Sequence, residues 1–214
     1  MIGLLASVES DVLFHVAEAL EIPVLVLTGI AAAWTLLELG RFLVEVACRR
    51  RRDPRHLDEA AERALEALRS GEDRDAARTQ LRAVAWSPPM DRAVAAILRD
   101  WGRPGEERRI SKTLADFDFA SLRRLERTRL LVRAGPALGL MGTLIPLSPA
   151  LAGLAGGDVA TLTENLRVAF SVTVVGLLIG AVAFAVSLVR DRLYGQDLSD
   201  LEYLAATITD REAS

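Results

Sequence analysis

Cysteine and histidine are scarce in this chain, and three long stretches hold no charge at all. Cys48 is the single cysteine, so no internal disulfide can form, and its position suggests an inert interfacial thiol. His15 and His56 stand alone, which removes the usual ligands of a structural or catalytic metal; no metal and no cofactor are expected. A nucleophile-and-base pair and a phosphate-binding loop are also missing, so the chain does not read as an enzyme. No alternating strand pattern stands out. The N-terminus is acidic where a secretory signal starts basic, so the first apolar segment is expected to stay as an uncleaved anchor.

What is present is a divided composition. Of the 214 residues, 51% are hydrophobic and 26% charged, an odd mixture for one soluble domain. Placing the charges resolves it. Residues 22–37, 134–157 and 168–189 contain none. A hydrocarbon core of about 30 Å needs roughly 20 apolar residues in a spanning helix. The second and third stretches meet that, and the first does if Glu38 sits at the interface or faces a protein neighbour. Three transmembrane helices in an all-α membrane protein are therefore expected.

Basic residues give the orientation. Residues 1–40 hold no Lys or Arg, and neither does the turn between the last two spans. Arg49 to Arg52 follow the first span, Arg123 to Arg133 precede the second, and Arg190 and Arg192 follow the third. The positive-inside rule then places the N-terminus outside and the C-terminus in the cytoplasm of an inner-membrane, multi-pass protein. Directly at a membrane exit, the Arg49 to Arg52 run reads as a topology anchor or lipid-headgroup contact and not as a nucleic-acid patch.

Seven segments follow. Residues 1–21 are an external amphipathic segment, with Ile2, Leu5, Val8 and Val12 at helical spacing. Residues 22–48 are the first span, with Pro23 at the helix start and Glu38, Arg41 and Glu45 spaced to pair on one face. Residues 49–130 form a cytoplasmic helical region: helices at Leu57–Leu68, Arg74–Trp86 and Met90–Trp101, then a long helix from Glu106 that meets no breaker before Gly135-Pro136. Residues 131–154 are the second span, 155–166 an external turn, 167–189 the third span, and 190–214 a cytoplasmic helical tail.

The second and third spans carry matching stripes of small residues. In the third, Ala169, Thr173, Gly176, Gly180, Ala183 and Ser187 are spaced to share one helical face. The opposite face holds Val168, Phe170, Val175, Leu178, Ile179, Val182 and Val186, which suit lipid. In the second, Gly135, Gly139, Gly142 with Thr143, Pro146, Ala150 and Gly153 make a similar face. Such faces let backbones approach closely, with each other or with another subunit. Thr143 and Thr173 have two readings: a hydroxyl bonded back to its own helix, or a polar point on an ion path. Pro146 introduces a kink or a freed carbonyl. Neither span holds a titratable residue, so a proton relay would need one from elsewhere.

Ala134-Gly-Pro-Ala-Leu-Gly-Leu-Met-Gly-Thr143 resembles the A-P-L-L-G-L-L-G-T-V element of the MotA/TolQ/ExbB proton channel family. Ala169-Phe-Ser-Val-Thr-Val-Val-Gly-Leu177 resembles that family's A-L-x-x-T-x-x-G-L element, and the turn Leu154-Ala-Gly-Gly-Asp158 is also similar. The topology agrees. The resemblance implies a homo-pentameric helical bundle around a dimer of an ExbD-, TolR- or MotB-like partner with one span and a membrane Asp, set in a lipid bilayer. It implies a stator that couples cation flow, expected to be protons, to mechanical work, with Thr143 and Thr173 on the ion path. Gly135, Gly139, Gly142, Ala169, Gly176 and Gly180 would pack helices or line the pore. Many members carry Glu where this chain has Val168, and Pro146 stands at a position that is commonly Gly. The alternative is a non-conducting membrane scaffold that uses the small faces for packing alone.

Overall fold

The structure is a computed structural model and describes residues 15–16, 19–49, 57–70, 74–81 and 85–209. Most of the expected external amphipathic segment, Arg50 to Arg52, His56 and the last residues of the tail lie outside the described residues. Among the described residues six helices follow in order: α1 (Glu21–Arg49), α2 (Leu57–Arg69), α3 (Arg74–Leu81), α4 (Pro88–Asp100), α5 (Glu106–Ala155) and α6 (Val159–Thr209). Among the described residues the helix is the only regular element. Three of them, α1, α5 and α6, are long and apolar enough to cross a membrane.

Local chemistry accounts for the boundaries. Pro23 sits in the first turn of α1, where a missing N–H costs nothing. Ser87 is extended (φ −125°, ψ 149°), as a residue before proline prefers, and its hydroxyl accepts the Met90 N–H to cap α4. The expected helix over Arg74–Trp86 is described over Arg74–Leu81, and Ala85 and Trp86 lead in non-helical form to the cap. Gly102 and Gly105 both take positive φ in the link before α5.

The long helix expected from Glu106 exists and runs on through Pro136, Pro146 and Pro149 to Ala155. The expected turn over 155–166 is much tighter. Only Gly156 to Asp158 separate α5 from α6. Gly157 supplies a φ of 81°, and the Asp158 N–H returns to the Gly153 carbonyl at 2.9 Å. Asp158 then caps α6 by accepting the Thr161 N–H at 3.1 Å. Hydrogen bonds from the Thr161 side chain and then its backbone hold the Asp158 carboxyl below the ordinary carboxylate range.

The chain divides into two compact units. The first comprises residues 1–40 and 127–187 and holds most of the apolar helix length. Its buried cluster joins α1 (Ala31), α5 (Leu131, Leu138) and α6 (Ile179, Ala183). Ile179 and Val186, assigned above to a lipid face, are each only 3% exposed. The reason is that α6 has protein on two sides: its glycine face meets α5 and Ile179 packs in the cluster that includes α1. Phe170, Val174, Leu177, Leu178 and Phe184 form its exposed apolar side.

The second unit comprises residues 41–126 and 188–214. Its core is built from Ala60, Ala61, Ala64 and Leu68 of α2, Leu81 of α3, Met90, Val94, Ile97 and Leu98 of α4, Ile110 and Phe117 of α5, and Leu201, Leu204 and Ile208 of α6. The small alanine face of α2 brings it close to its neighbours, while the bulk comes from α4 and α6. The Trp101 indole donates to the Ile208 carbonyl at 2.9 Å and ties the end of α4 to the end of α6.

Within this unit two buried ion pairs join α1 to α6. Arg190 meets Glu45 at 3.3 Å, and Arg49 meets Asp197. Arg49 also donates to the Leu193 carbonyl at 3.1 Å and stacks 4.2 Å above the Trp86 ring, whose indole N–H bonds Asp197 at 3.0 Å. Burial, then the Glu45 carboxylate, raises the pKa of the Tyr194 phenol that lies between the two pairs in sequence. Glu45 thus pairs with Arg190 of α6, and the Arg49 side chain, 9% exposed, with a carboxylate of the protein.

Candidate functional site

The small-residue faces of α5 and α6 meet each other within the chain. A Cβ placed on Gly135 would stand 2.7 Å from the Gly176 carbonyl oxygen and 2.8 Å from the Gly180 nitrogen. One placed on Gly176 would stand 2.6 Å from the Gly135 carbonyl and 2.7 Å from Gly139 Cα. Gly180 leaves room for the Pro136 ring, 2.8 Å from where its Cβ would be. These obstacles are backbone or ring atoms that cannot rotate away, so the seam needs glycine. Gly142 continues it against the Val172 side chain.

Thr173 lies in this seam, half-buried. Its hydroxyl is 3.1 Å from the Ala169 carbonyl of its own helix and 3.2 Å from the Gly139 carbonyl of α5. Thr173 is thus bonded back to its own helix, with a cross-helix acceptor added. Ala169 is 4% exposed and belongs to the same face. Thr143 differs: it is half-exposed, and its hydroxyl returns to the Leu140 carbonyl at 2.8 Å. The two threonines are thus not equivalent, since one is shared between helices and the other is satisfied within its own. Pro146 and Ala150 are buried on the α5 face.

A second polar line was not singled out from the sequence. On α1, Val24, Thr28, Ala31, Thr35 and Glu38 are buried, at alternating spacings of four and three that place them on one face. Thr28 and Thr35 donate to the Val24 and Ala31 carbonyls at 2.8 Å. Glu38 is 7% exposed, so it faces protein and not the interface. The signal was present as two threonines seven apart in an apolar run, but spacing alone does not say which face turns inward.

Three helices long enough to span a bilayer, two of them joined by a hairpin and fused through glycine, define a multi-pass helical membrane protein. The MotA/TolQ/ExbB proton channel family model matches residues 54–202, most of the chain, and this chain belongs to that family. The match takes in α2 to α5 and nearly all of α6, and begins after α1. No curated protein matches the chain at a significant level.

Proposed function

We propose that this chain is a subunit of an ion-motive-force-driven stator that couples proton flow to mechanical work with a single-span partner bearing a membrane Asp. The observation that carries this reading is the Thr173 hydroxyl, held between the Ala169 and Gly139 carbonyls in the glycine seam of a proton channel family member. A hydroxyl with two carbonyl neighbours offers polarity inside spans that lack any titratable side chain, so the moving charge must be handed on by a carboxylate from elsewhere. In this reading the subunits form a homo-pentamer around a partner dimer in the inner membrane. The N-terminus is outside, the basic helical region and tail are cytoplasmic, and Thr143 and Thr173 border the ion path.

One observation favours the scaffold reading. Gly135, Gly139, Gly142, Gly176 and Gly180 are all accounted for by packing of α5 on α6 inside one subunit. The two readings part on the threonines. The complex purified from membranes should contain the partner, and native mass spectrometry should count a pentamer with a dimer. Proton flux through liposomes containing that complex should fall roughly tenfold in Thr173→Val, the effect of about 1.4 kcal/mol on a barrier. Unchanged flux in both Thr173→Val and Thr143→Val, or a complex without a partner, would sink the stator reading.

A further inference from the structure

The contacts along the α5–α6 seam fix which residues of the two helices stand side by side. A Cβ on Gly142 would meet Val172, and one on Gly139 would meet Thr173 and Gly176. One on Gly180 would meet the Pro136 ring, with the Val132 carbonyl at 3.5 Å. The two helices run antiparallel, so each step toward the start of α5 is a step toward the end of α6. Arg133 therefore stands level with about residue 181, near the middle of the uncharged run 168–189. About nine residues, roughly 13 Å of helix, separate that level from Arg190, where charge resumes on α6. The first helix agrees: Leu131 and Val132 pack in one cluster with Ala31, which lies within the uncharged run 22–37. In sequence Arg133 is the last charge before the apolar run of α5, yet its neighbours put it at hydrocarbon depth. Moving the bilayer outward to expel it would draw in Glu21 and Arg167, because Glu21 shares a crevice with Ile145, Pro146 and Val168.

Arg133 is exposed on the chain and has no hydrogen bond or ion pair among the described residues. Its guanidinium stays charged at any physiological pH. An arginine at this depth faces protein or water and not acyl chains, and the headgroups lie farther away than its side chain reaches. Leu130, Ala137, Leu140 and Leu144 share its exposed side of α5. The result is an apolar helix face with one positive charge. Its complement is a helix with an apolar face and one carboxylate at the same depth. A second copy of this chain has no such carboxylate to offer. On α1 the run 22–37 holds none and Glu38 is buried; on α5 none occurs from Arg127 to Gly157; on α6 none occurs from Val168 to Val189.

We propose that this face of α5, from Leu130 to Leu144, docks a transmembrane helix of a different chain whose membrane carboxylate pairs with Arg133. The proposal rests on the stator reading, which brings such a helix to the complex, and it names where on this chain that helix is held. The test uses the complex purified from membranes, with the wild-type chain and single variants. Arg133→Glu should lower the co-purifying partner roughly tenfold or more, Arg133→Gln should lower it less, and Arg133→Lys should keep it. Thermal unfolding of the chain should not move in any of the three, because Arg133 bonds nothing within it. Changing the partner's membrane carboxylate to Lys should restore binding to Arg133→Glu. A partner fully retained by Arg133→Glu, or a loss that this exchange does not recover, would overturn the pairing. Native mass spectrometry that finds the partner kept and copies of this chain lost would also overturn it, by putting a second copy on the face. The stator reading fails separately: a wild-type complex that holds its partner but carries no proton flux ends that reading and leaves the pairing standing. A complex that conducts, and keeps its partner in Arg133→Glu, ends the pairing alone.

Discussion

Single atoms decide the α5–α6 seam. The same glycine-to-alanine change has different consequences at different positions, because the added methyl meets different neighbours. At Gly176 it meets backbone at 2.6 Å, at Gly139 it meets Thr173 and Gly176 backbone at 3.3 Å, and at Gly29 nothing lies within 4 Å. Gly176→Ala should destabilise the subunit by about 1–3 kcal/mol through overpacking, Gly139→Ala by less, and Gly29→Ala should be neutral or slightly stabilising. Thermal unfolding in a fixed detergent, read by circular dichroism, checks the order; equal effects at all three positions would contradict the seam. Thr173 belongs to the same scale. Valine keeps its shape and removes the hydroxyl, so a loss of flux without a loss of stability would separate a role in conduction from a role in packing.

At the scale of elements, α1 and α6 are set in register by opposite charge patterns. Along α1 the order is Glu45 then Arg49, and along α6 it is Arg190 then Asp197. Sliding α6 by seven residues one way brings Arg190 to Arg49, and the other way brings Asp197 to Glu45, so either slip places like charges together. A buried pair earns little net stability against an apolar replacement, but losing one partner strands the other. Asp197→Ala should therefore cost about 3–5 kcal/mol, because the Arg49 side chain is only 9% exposed and loses its carboxylate. Glu45→Arg and Arg190→Glu should each destabilise, and the double exchange should recover much of the loss in a double-mutant cycle; strictly additive losses would show that the pairing does not matter.

The hairpin between α5 and α6 responds to acid in a direction set by its cap. The Asp158 carboxyl titrates below its ordinary value because Thr161 bonds its charged form. A depressed folded-state pKa contributes stability that is complete above the unfolded value, and is lost as pH falls through the folded one. Amide exchange at residues 159–161, measured against Asp158→Ala, should show protection by the cap near neutrality. The difference should disappear only at pH below the usual aspartate range, and a difference that grew on acidification would reverse the sign of the argument.

For the molecule as a whole, the orientation in the bilayer is the prediction with the widest consequences. Cys48 is the single cysteine and is exposed, so the native chain carries its own reporter. A membrane-impermeant maleimide should label Cys48 in inside-out vesicles and not in right-side-out cells. The variant with Cys48→Ala and Ala160→Cys should give the opposite result, since residue 160 follows the hairpin turn and is exposed. The same pattern of labelling for both positions would defeat the positive-inside argument.

The sequence by itself determined the all-helical class, the three spans and the long unbroken reach of α5. These depend on length, on runs without charge, and on breakers such as Gly102 and Gly105, all properties of consecutive residues. It also marked the small faces, because a 3.6-residue period is written along the chain. Only the tertiary structure decided what those faces touch. Periodicity shows which residues share a side but not what stands opposite, so it groups Ile179 and Val186 with the lipid-facing residues although both are buried. The inward face of α1, from Val24 to Glu38, was hidden for the same reason: burial in a helical bundle is a relation between distant segments, and no single run of sequence contains it.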